Sequence, residues 1–398
     1  MMTFNKNSEA GRRIVTIVMA VVIGVFLVTH SGEAAGNTFY VAQNGSDENS
    51  CARARDINTP KRNIMGSNGG IACMQSPGDT LLIREGIYPE TINNYTVPYS
   101  LPSGTDWNNS FTVAAYSGET VVIQGIAIAT DDNLKLNLSY WIFAGLHVVD
   151  NVPGVGATAI WMRTPDHLRF VDMEVTNDYG SASCVQGGGK FIEFINVHVH
   201  SCGDPIASVV AYGFYWGGSD TLFDNIELHD TTGYGFHIFK AGCEGSGNCP
   251  GRITISNSEI YNTGTVQFSA GILFAFGNGH QAYGNIIRNN SSGITVGYGA
   301  SDTKIYGNKI YQNTYSGISS GVGWSNRPSS NVIIENNVVA YNGEYGIINS
   351  SEGTPAGEPI GTMIINNTLF NNGFGVDGIL DTGTFTINSN NLTADVGL

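Results

Sequence analysis

Residues 191–240 read FIEFINVHVHSCGDPIASVVAYGFYWGGSDTLFDNIELHDTTGYGFHIFK and carry one pattern twice. Phe194–His200 (FINVHVH) and Phe223–His229 (FDNIELH) both run aromatic, any, Asn, apolar, any, apolar, His. Each is followed by a turn and then an aromatic run, residues 211–216 in one and 234–239 in the other. If the two units stack, they bring His198, His200, Glu227 and His229 side by side.

The same frame extends in both directions. It recurs as FAGLHV (143–148), FVDMEV (170–175), FINVHV (194–199), FDNIEL (223–228), ISNSEI (255–260), AYGNII (282–287), IYGNKI (305–310), IENNVV (334–339), IINNTL (364–369) and INSNNL (387–392). Self-similarity at a spacing of roughly 20–30 residues marks a solenoid. The third position reads Gly145, Asp172, Asn196, Asn225, Asn257, Gly284, Gly307, Asn336, Asn366 and Ser389. Nearly all are residues that tolerate the left-handed backbone, which predicts a sharp bend between two strands in every coil. At the fourth position, Asn285, Asn308, Asn337, Asn367 and Asn390 follow one another. Buried Asn is costly unless paired, so this column predicts an internal amide stack at the strand spacing of about 4.8 Å. No Leu-x-x-Leu-x-Leu core or helical segment accompanies it. The expected fold is therefore all-β, a parallel β-helix of about ten or more coils. A second strand per coil is expected near residues 159–162, 184–187, 213–216, 235–238, 271–274, 293–296, 317–320 and 346–349.

Three segments are expected. Lys6, Arg12 and Arg13, the apolar run 14–29 and the small residues up to Ala35 have the order of a secretory signal peptide, assigned to residues 1–35. Residues 36–125 read as entry coils, and residues 126–398 as the repeats proper. The apolar run is shorter than the roughly 20 residues that a spanning helix needs, so a secreted, periplasmic or cell-surface protein is expected, with no stable membrane insertion after cleavage. Cys51, Cys73, Cys184, Cys202, Cys243 and Cys249 form an even set in an exported chain, which suggests disulfides. Cys51–Cys73 and Cys243–Cys249 are the nearest pairings in sequence, and Cys184 and Cys202 sit where adjacent coils could bring them together; 15 connectivities are open in principle. A formal charge of −15 argues against nucleic acid as a partner. Any polyanionic ligand then needs a local basic cleft or bound cations.

In the strand after the bend, the fourth and sixth positions point inward and the fifth and seventh outward. One outward face then presents His198 and His200, then Glu227 and His229, then Glu259 and Tyr261, then Arg288, then Lys309 and Tyr311. The second strand presents Trp161, Gln186, Tyr215 and His237, with Arg163 and Lys240 near its end. These types suit a saccharide groove: aromatic faces stack on sugar rings, cations hold carboxylates, and His, Glu or Tyr moves protons. Candidate catalytic residues are His200, His229, Tyr261, Arg288 and Lys240. Candidate substrate-binding residues are His198, Glu227, Glu259, His237, Tyr215, Trp161, Lys309 and Tyr311. Stacked His and Glu columns also neutralise one another on an outer face without any further role. His198-x-His200 beside Glu227-x-His229 offers imidazoles that could converge on zinc or copper. Ca2+ is a separate expectation for an acidic chain that binds uronates.

FYVAQNGSDENS (39–50), PGDTLLIREGIYPETI (77–92), FTVAAYSGETVVIQG (111–125) and the YGN–GI units of residues 283–348 resemble the secreted right-handed parallel β-helix proteins, the superfamily that includes pectate lyases and related polysaccharide lyases. The resemblance spans nearly all of the chain after the leader. It implies a polysaccharide partner and a monomeric protein acting outside the cytoplasm. The leading expectation is β-elimination of a uronate-containing glycan. The alternatives are glycoside hydrolysis, for which Glu227 and Glu259 lie one coil apart, and non-catalytic carbohydrate binding.

Overall fold

The computed structural model describes residues 36–94, 101–129, 138–149, 158–177, 182–243, 249–264, 269–321, 323, 327–373 and 378–394. The expected signal peptide lies outside the described residues. Residues 36–398 form one compact unit.

The chain winds as a right-handed parallel β-helix with three strands per coil and every named strand pairing parallel. Sheet A holds the strands before the bend, from Thr38–Val41 and Thr80–Ile83 through Ser219–Asp224 and Gly251–Ser256 to Met363–Ile365 and Ile387–Ser389. Sheet B holds the strands after it, including Leu146–Val149, Glu227–Thr231, Glu259–Thr263, Ile286–Arg288 and Lys309–Tyr311. Sheet C holds Ile160–Asp166, Val185–Lys190, Phe214–Trp216, Phe236–Ile238, Ala270–Ala275, Ser292–Gly297 and their successors. Leu168–Asn177 and Glu193–Cys202 run through the bend from sheet A into sheet B without a break.

The bend column does what its composition predicts. Gly145, Asp172, Asn196, Asn225, Asn257, Gly284, Gly307, Asn336 and Asn366 all have φ between 51° and 66°. The last unit is a correction. Asn390 carries the positive φ instead of Ser389, and Asn391 instead of Asn390 faces inward, accepting from the Asn367 side chain at 3.0 Å. The register is Thr368 with Leu392, so the unit is NSNNLT (388–393), one residue later than expected. Three consecutive amide-or-hydroxyl residues before Asn391 made the two frames indistinguishable by residue type.

The amide stack is continuous. Nδ2 of Asn285 donates to Oδ1 of Asn308 at 2.9 Å, Asn308 to Asn337 at 3.0 Å, and Asn337 to Asn367 at 2.9 Å. Each of these Nδ2 groups also donates back to a carbonyl of the preceding coil, at Ile255, Ala282 and Ile305. A second stack, not anticipated, lies five residues on. Asn313 donates to Asn342 and Asn342 to Asn372, both at 2.9 Å, and the Asn290 backbone N–H donates to Oδ1 of Asn313 at 3.0 Å. It lines the turn from sheet B to sheet C, where Asn289, Gln312, Tyr341 and Asn371 hold positive φ. The two stacks satisfy the polar groups of two corners in each coil, which is what lets an interior this polar stay buried.

Apolar columns fill the rest. Phe143, Phe170, Phe194 and Phe223 stack at centroid distances of 5.3, 4.7 and 5.2 Å, and Phe214 lies flat on Phe236 at 4.7 Å. All six rings are fully buried, each contributing about 1.5–3 kcal/mol of apolar transfer. Disulfides join Cys51–Cys73, Cys184–Cys202 and Cys243–Cys249, leaving no free cysteine. Three bridges fit an oxidising, extracytoplasmic setting. Among the described residues no helix is long and apolar enough to cross a membrane.

Candidate functional site

Sheet B presents the expected outward rows in register. His147, Glu174, His198, Glu227, Glu259, Ile286 and Lys309 follow one another on successive strands, as do Thr176, His200, His229, Tyr261, Arg288 and Tyr311. Alternation along each strand puts both rows on the surface while Val199, Leu228 and Ile260 between them are buried.

The polar side chains of these rows are largely committed to one another. Glu174 accepts from His200 Nε2 at 2.9 Å and lies 3.0 Å from His147 Nδ1. The hydrogen bond from His200 holds the Glu174 carboxyl below its ordinary range. Nε2 of His198 faces Nε2 of His229 at 2.8 Å, and Nδ1 of His229 donates to Asp230 at 2.8 Å. Tyr261 stacks on His229 at 4.7 Å and donates its hydroxyl to Glu227 at 3.0 Å; burial and that hydrogen bond push the phenol up to about 12. Arg288 lies over the Tyr261 ring at 4.2 Å and bonds Glu259 at 2.8–2.9 Å. Its charge is thus already balanced by a carboxylate. A groove of about 520 Å³ runs over His147, Glu174, His198, Glu227, Glu259 and Ile286. His200, His229, Tyr261 and Arg288 stand outside its lining.

A larger groove, about 1010 Å³, lies over sheet C and the turns that leave it. Trp161, Gln186 and Tyr215 are register neighbours on its floor. Arg163, Lys190, Lys240, Arg252 and Arg327 line it, while Asp166 is the one carboxylate among its described lining residues. Arg252 is bound by Asp220. Five of the chain's 18 Lys and Arg residues therefore gather on one groove of an acidic protein. Trp161, Tyr215 and Lys240, expected near here, do meet; Lys190, Arg252 and Arg327 were not singled out from the sequence. A signal for part of this existed. A cation follows the outward residue of sheet C by two to four positions at Trp161–Arg163, Gln186–Lys190 and His237–Lys240.

His237, next to Tyr215 in register, sits beside the groove within a cage of rings. Tyr212, Tyr215, Tyr234 and Phe239 surround it at 4.8–5.1 Å. Burial lowers its pKa to about 4, and its Nδ1 is buried with no hydrogen-bond partner. It is a neutral imidazole at the physiological range. Desolvation also raises the phenols of Tyr212 and Tyr215, keeping them protonated.

The Ca2+ expectation meets an unfavourable donor set. Asp204 caps the amides of Ile206 and Ala207, and Asp220 is bound to Arg252. Among the described residues, the clusters with metal-ligand spacing all include imidazole, a poor ligand for a hard cation.

A family profile described as a right handed beta helix region matches residues 213–392. A relative from Bacillus subtilis (strain 168), the uncharacterized protein YwoF, is 28% identical over 348 residues, covering 79% of this chain and 71% of its own. Among solved structures, pectate lyase Pel9A aligns over 89% of this chain and 79% of its own, with a TM-score of 0.52 and 19% identity. The GH136 lacto-N-biosidase from Eubacterium ramulus aligns over 90% of this chain and 68% of its own, with a TM-score of 0.63 and 10% identity. These likenesses establish the right-handed parallel β-helix as the fold of this chain.

Proposed function

We propose that this protein is exported, binds an acidic, uronate-containing polysaccharide as a monomer in the larger groove, and cleaves it by β-elimination. The observation that carries the reading is the gathering of Arg163, Lys190, Lys240, Arg252 and Arg327 on one groove of a chain with formal charge −15. A neutral glycan gives no reason for such a concentration. A polyanion does, because cations in a walled cleft focus the field and pair with carboxylates. Trp161 and Tyr215 supply flat apolar faces on the floor for sugar rings. Of the two fold neighbours, one is named a pectate lyase and the other a lacto-N-biosidase; the side chains of the groove favour the former chemistry.

β-Elimination needs three things: neutralisation of the uronate carboxylate, removal of the adjacent C5 proton, and departure of the O4-linked sugar. Arginine suits the first task, since its planar fork pairs bidentately with a carboxylate and keeps its charge. Arg163 and Arg327 are assigned to it. Lys240 is assigned to the proton, and Tyr215, kept protonated by burial, to the leaving oxygen. Hydrolysis by two carboxylates is disfavoured in this groove because Asp166 stands without a described acidic partner. The pair Glu227 and Glu259 lines the smaller groove instead, where Tyr261 and Arg288 each hold one oxygen of the pair.

The test is a panel of polyuronates and neutral glycans, followed by the ultraviolet absorbance of the unsaturated product and by reducing ends. The expected result is absorbance on a polyuronate, lost by about 100-fold or more in Lys240→Ala, as for removal of a proton-transfer group. Reducing ends without absorbance would move the assignment to a hydrolase and to Glu227 and Glu259. Neither signal, with salt-sensitive retention on the glycan, would leave a binding protein.

A further inference from the structure

The histidine row of sheet B takes no part in the chemistry above. We propose that His198, His229 and Glu227 form a binding site for a divalent transition-metal ion of the zinc type. The site is independent of the glycan groove, since its residues are on another sheet. One donor atom from each of the three residues lies within 4.8 Å of the other two.

Proton positions favour the site. Nδ1 of His229 is 2.8 Å from the Asp230 carboxylate and so carries a hydrogen, which leaves the Nε2 lone pair of His229 pointing at His198. The 2.8 Å gap between the two Nε2 atoms then holds a single proton. An ion replaces it when His198 takes the other tautomer, its hydrogen passing from Nε2 to Nδ1 so that the imidazole stays neutral with no net proton release. Two nitrogens bound at about 2.0–2.1 Å in a tetrahedron stand roughly 3.3–3.4 Å apart. The rings need to open by only about half an ångström, within the reach of χ rotation on an outer sheet face.

The surroundings are those of a supported ligand set. Asp230 holds the far nitrogen of His229, and the Tyr261 hydroxyl holds Glu227 at 3.0 Å, so two of the three ligands are oriented from behind. The rival set of Glu174, His198 and His200 is weaker. His200 spends Nε2 on Glu174, and the second oxygen of Glu174 is taken by His147. Two imidazoles and one carboxylate suit zinc or its neighbours and not calcium or magnesium. Three protein donors leave a fourth position for water or a ligand oxygen. His198 and Glu227 both line the smaller groove, which gives that position access to a small oxygen-bearing molecule.

The full chain, stripped with a chelator and desalted, is titrated with CoCl2, read by visible absorbance, and with ZnCl2, read by calorimetry. One ion per chain is expected, with the intense visible bands of four-coordinate cobalt. Affinity should fall more than about 100-fold in His198→Ala and His229→Ala and about 10-fold in Asp230→Asn, with His147→Gln unchanged. Circular dichroism confirms folding of each variant. If an alanine variant misfolds, Asp230→Asn and Glu227→Gln carry the test, because both keep the shape of the side chain. No binding at millimolar metal, or binding that ignores these substitutions, overturns the proposal. Loss of glycan activity alone does not bear on it.

Discussion

Replacing Asn337 by alanine tests why an interior column of amides is stable at all. Asn337 is 1% exposed. Its Nδ2 donates to the Ile305 carbonyl at 3.0 Å and to Asn367 at 2.9 Å, and its Oδ1 accepts from the Asn308 backbone and side chain, both at 3.0 Å. Four bonds at a net ~1 kcal/mol each give a loss of about 4 kcal/mol, because the Asn308 N–H is left in a dry interior with no substitute. Asn391 is the control. It also takes part in four such bonds, to Ile364, Asn388 and twice to Asn367, but it is only half-buried. Water can replace its partners, and Asn391→Ala should cost about 1 kcal/mol. Urea denaturation followed by circular dichroism gives both values, and hydrogen exchange at the Asn308 amide should speed up about 1,000-fold in Asn337→Ala. Equal costs at the two positions would refute the reasoning, since bond number and not desolvation would then set the stability of the stack.

Two further outcomes follow from buried groups. His280 is fully buried, with Nε2 donating to the Phe276 carbonyl at 2.9 Å and Nδ1 accepting from Ile253, and burial lowers its pKa to about 4. The unfolded chain takes up the proton near the ordinary value of about 6.5, so the stability held above that pH is lost as the pH falls towards 4, by about 3 kcal/mol. Thermal midpoints measured between pH 7 and pH 4 should show this fall, with a smaller slope in His280→Gln; an equal slope would assign the loss to other groups. The Cys184–Cys202 bridge closes a separation of 18 residues. The double replacement Cys184→Ala, Cys202→Ala should lower stability by about 3 kcal/mol in urea titrations, and a change under 1 kcal/mol would argue against a loop-closure origin.

The fold was legible because its bends require a backbone that few residues adopt. Asp172, Asn196, Asn225 and Asn257 announce the left-handed position by type, and Asn285, Asn308, Asn337 and Asn367 announce the stack beside it. The signal failed in the last unit, where Asn388, Ser389, Asn390 and Asn391 all fit the bend by type; only strand pairing separates them. The second stack escaped notice because its bend residues include Gln312 and Tyr341, which do not advertise a positive φ. Of the site, the outward rows of sheet B were legible from alternation alone, as the pairing of His198 with Glu227 and of His200 with His229 shows. How their charges pair was not, since Arg288 reaching Glu259 depends on side-chain direction across strands. The basic groove was the least legible feature. Arg163, Lys240 and Arg327 are far apart in the sequence, and only the winding of the chain brings them to one face.

If the proposed polysaccharide lies along the larger groove, the regular coil acts on it as a measuring device. Trp161, Gln186 and Tyr215 are three successive rungs on the groove floor, and His237, Leu273 and Thr295 continue the same column of sheet C beyond its lining. Five intervals at ~4.8 Å span about 24 Å, and that distance is set by backbone hydrogen bonds, not by the side chains that face the groove. A polymer lying along this axis meets a new rung at each fixed interval, whatever residue the rung displays. Its own repeat must stay in phase with the protein for successive units to reach equivalent contacts. A chain of mismatched pitch drifts out of step and forfeits contacts in proportion to its length. For the proposed ligand, substitution on a rung therefore changes what is recognised at one place, while the length and periodicity that are recognised belong to the scaffold.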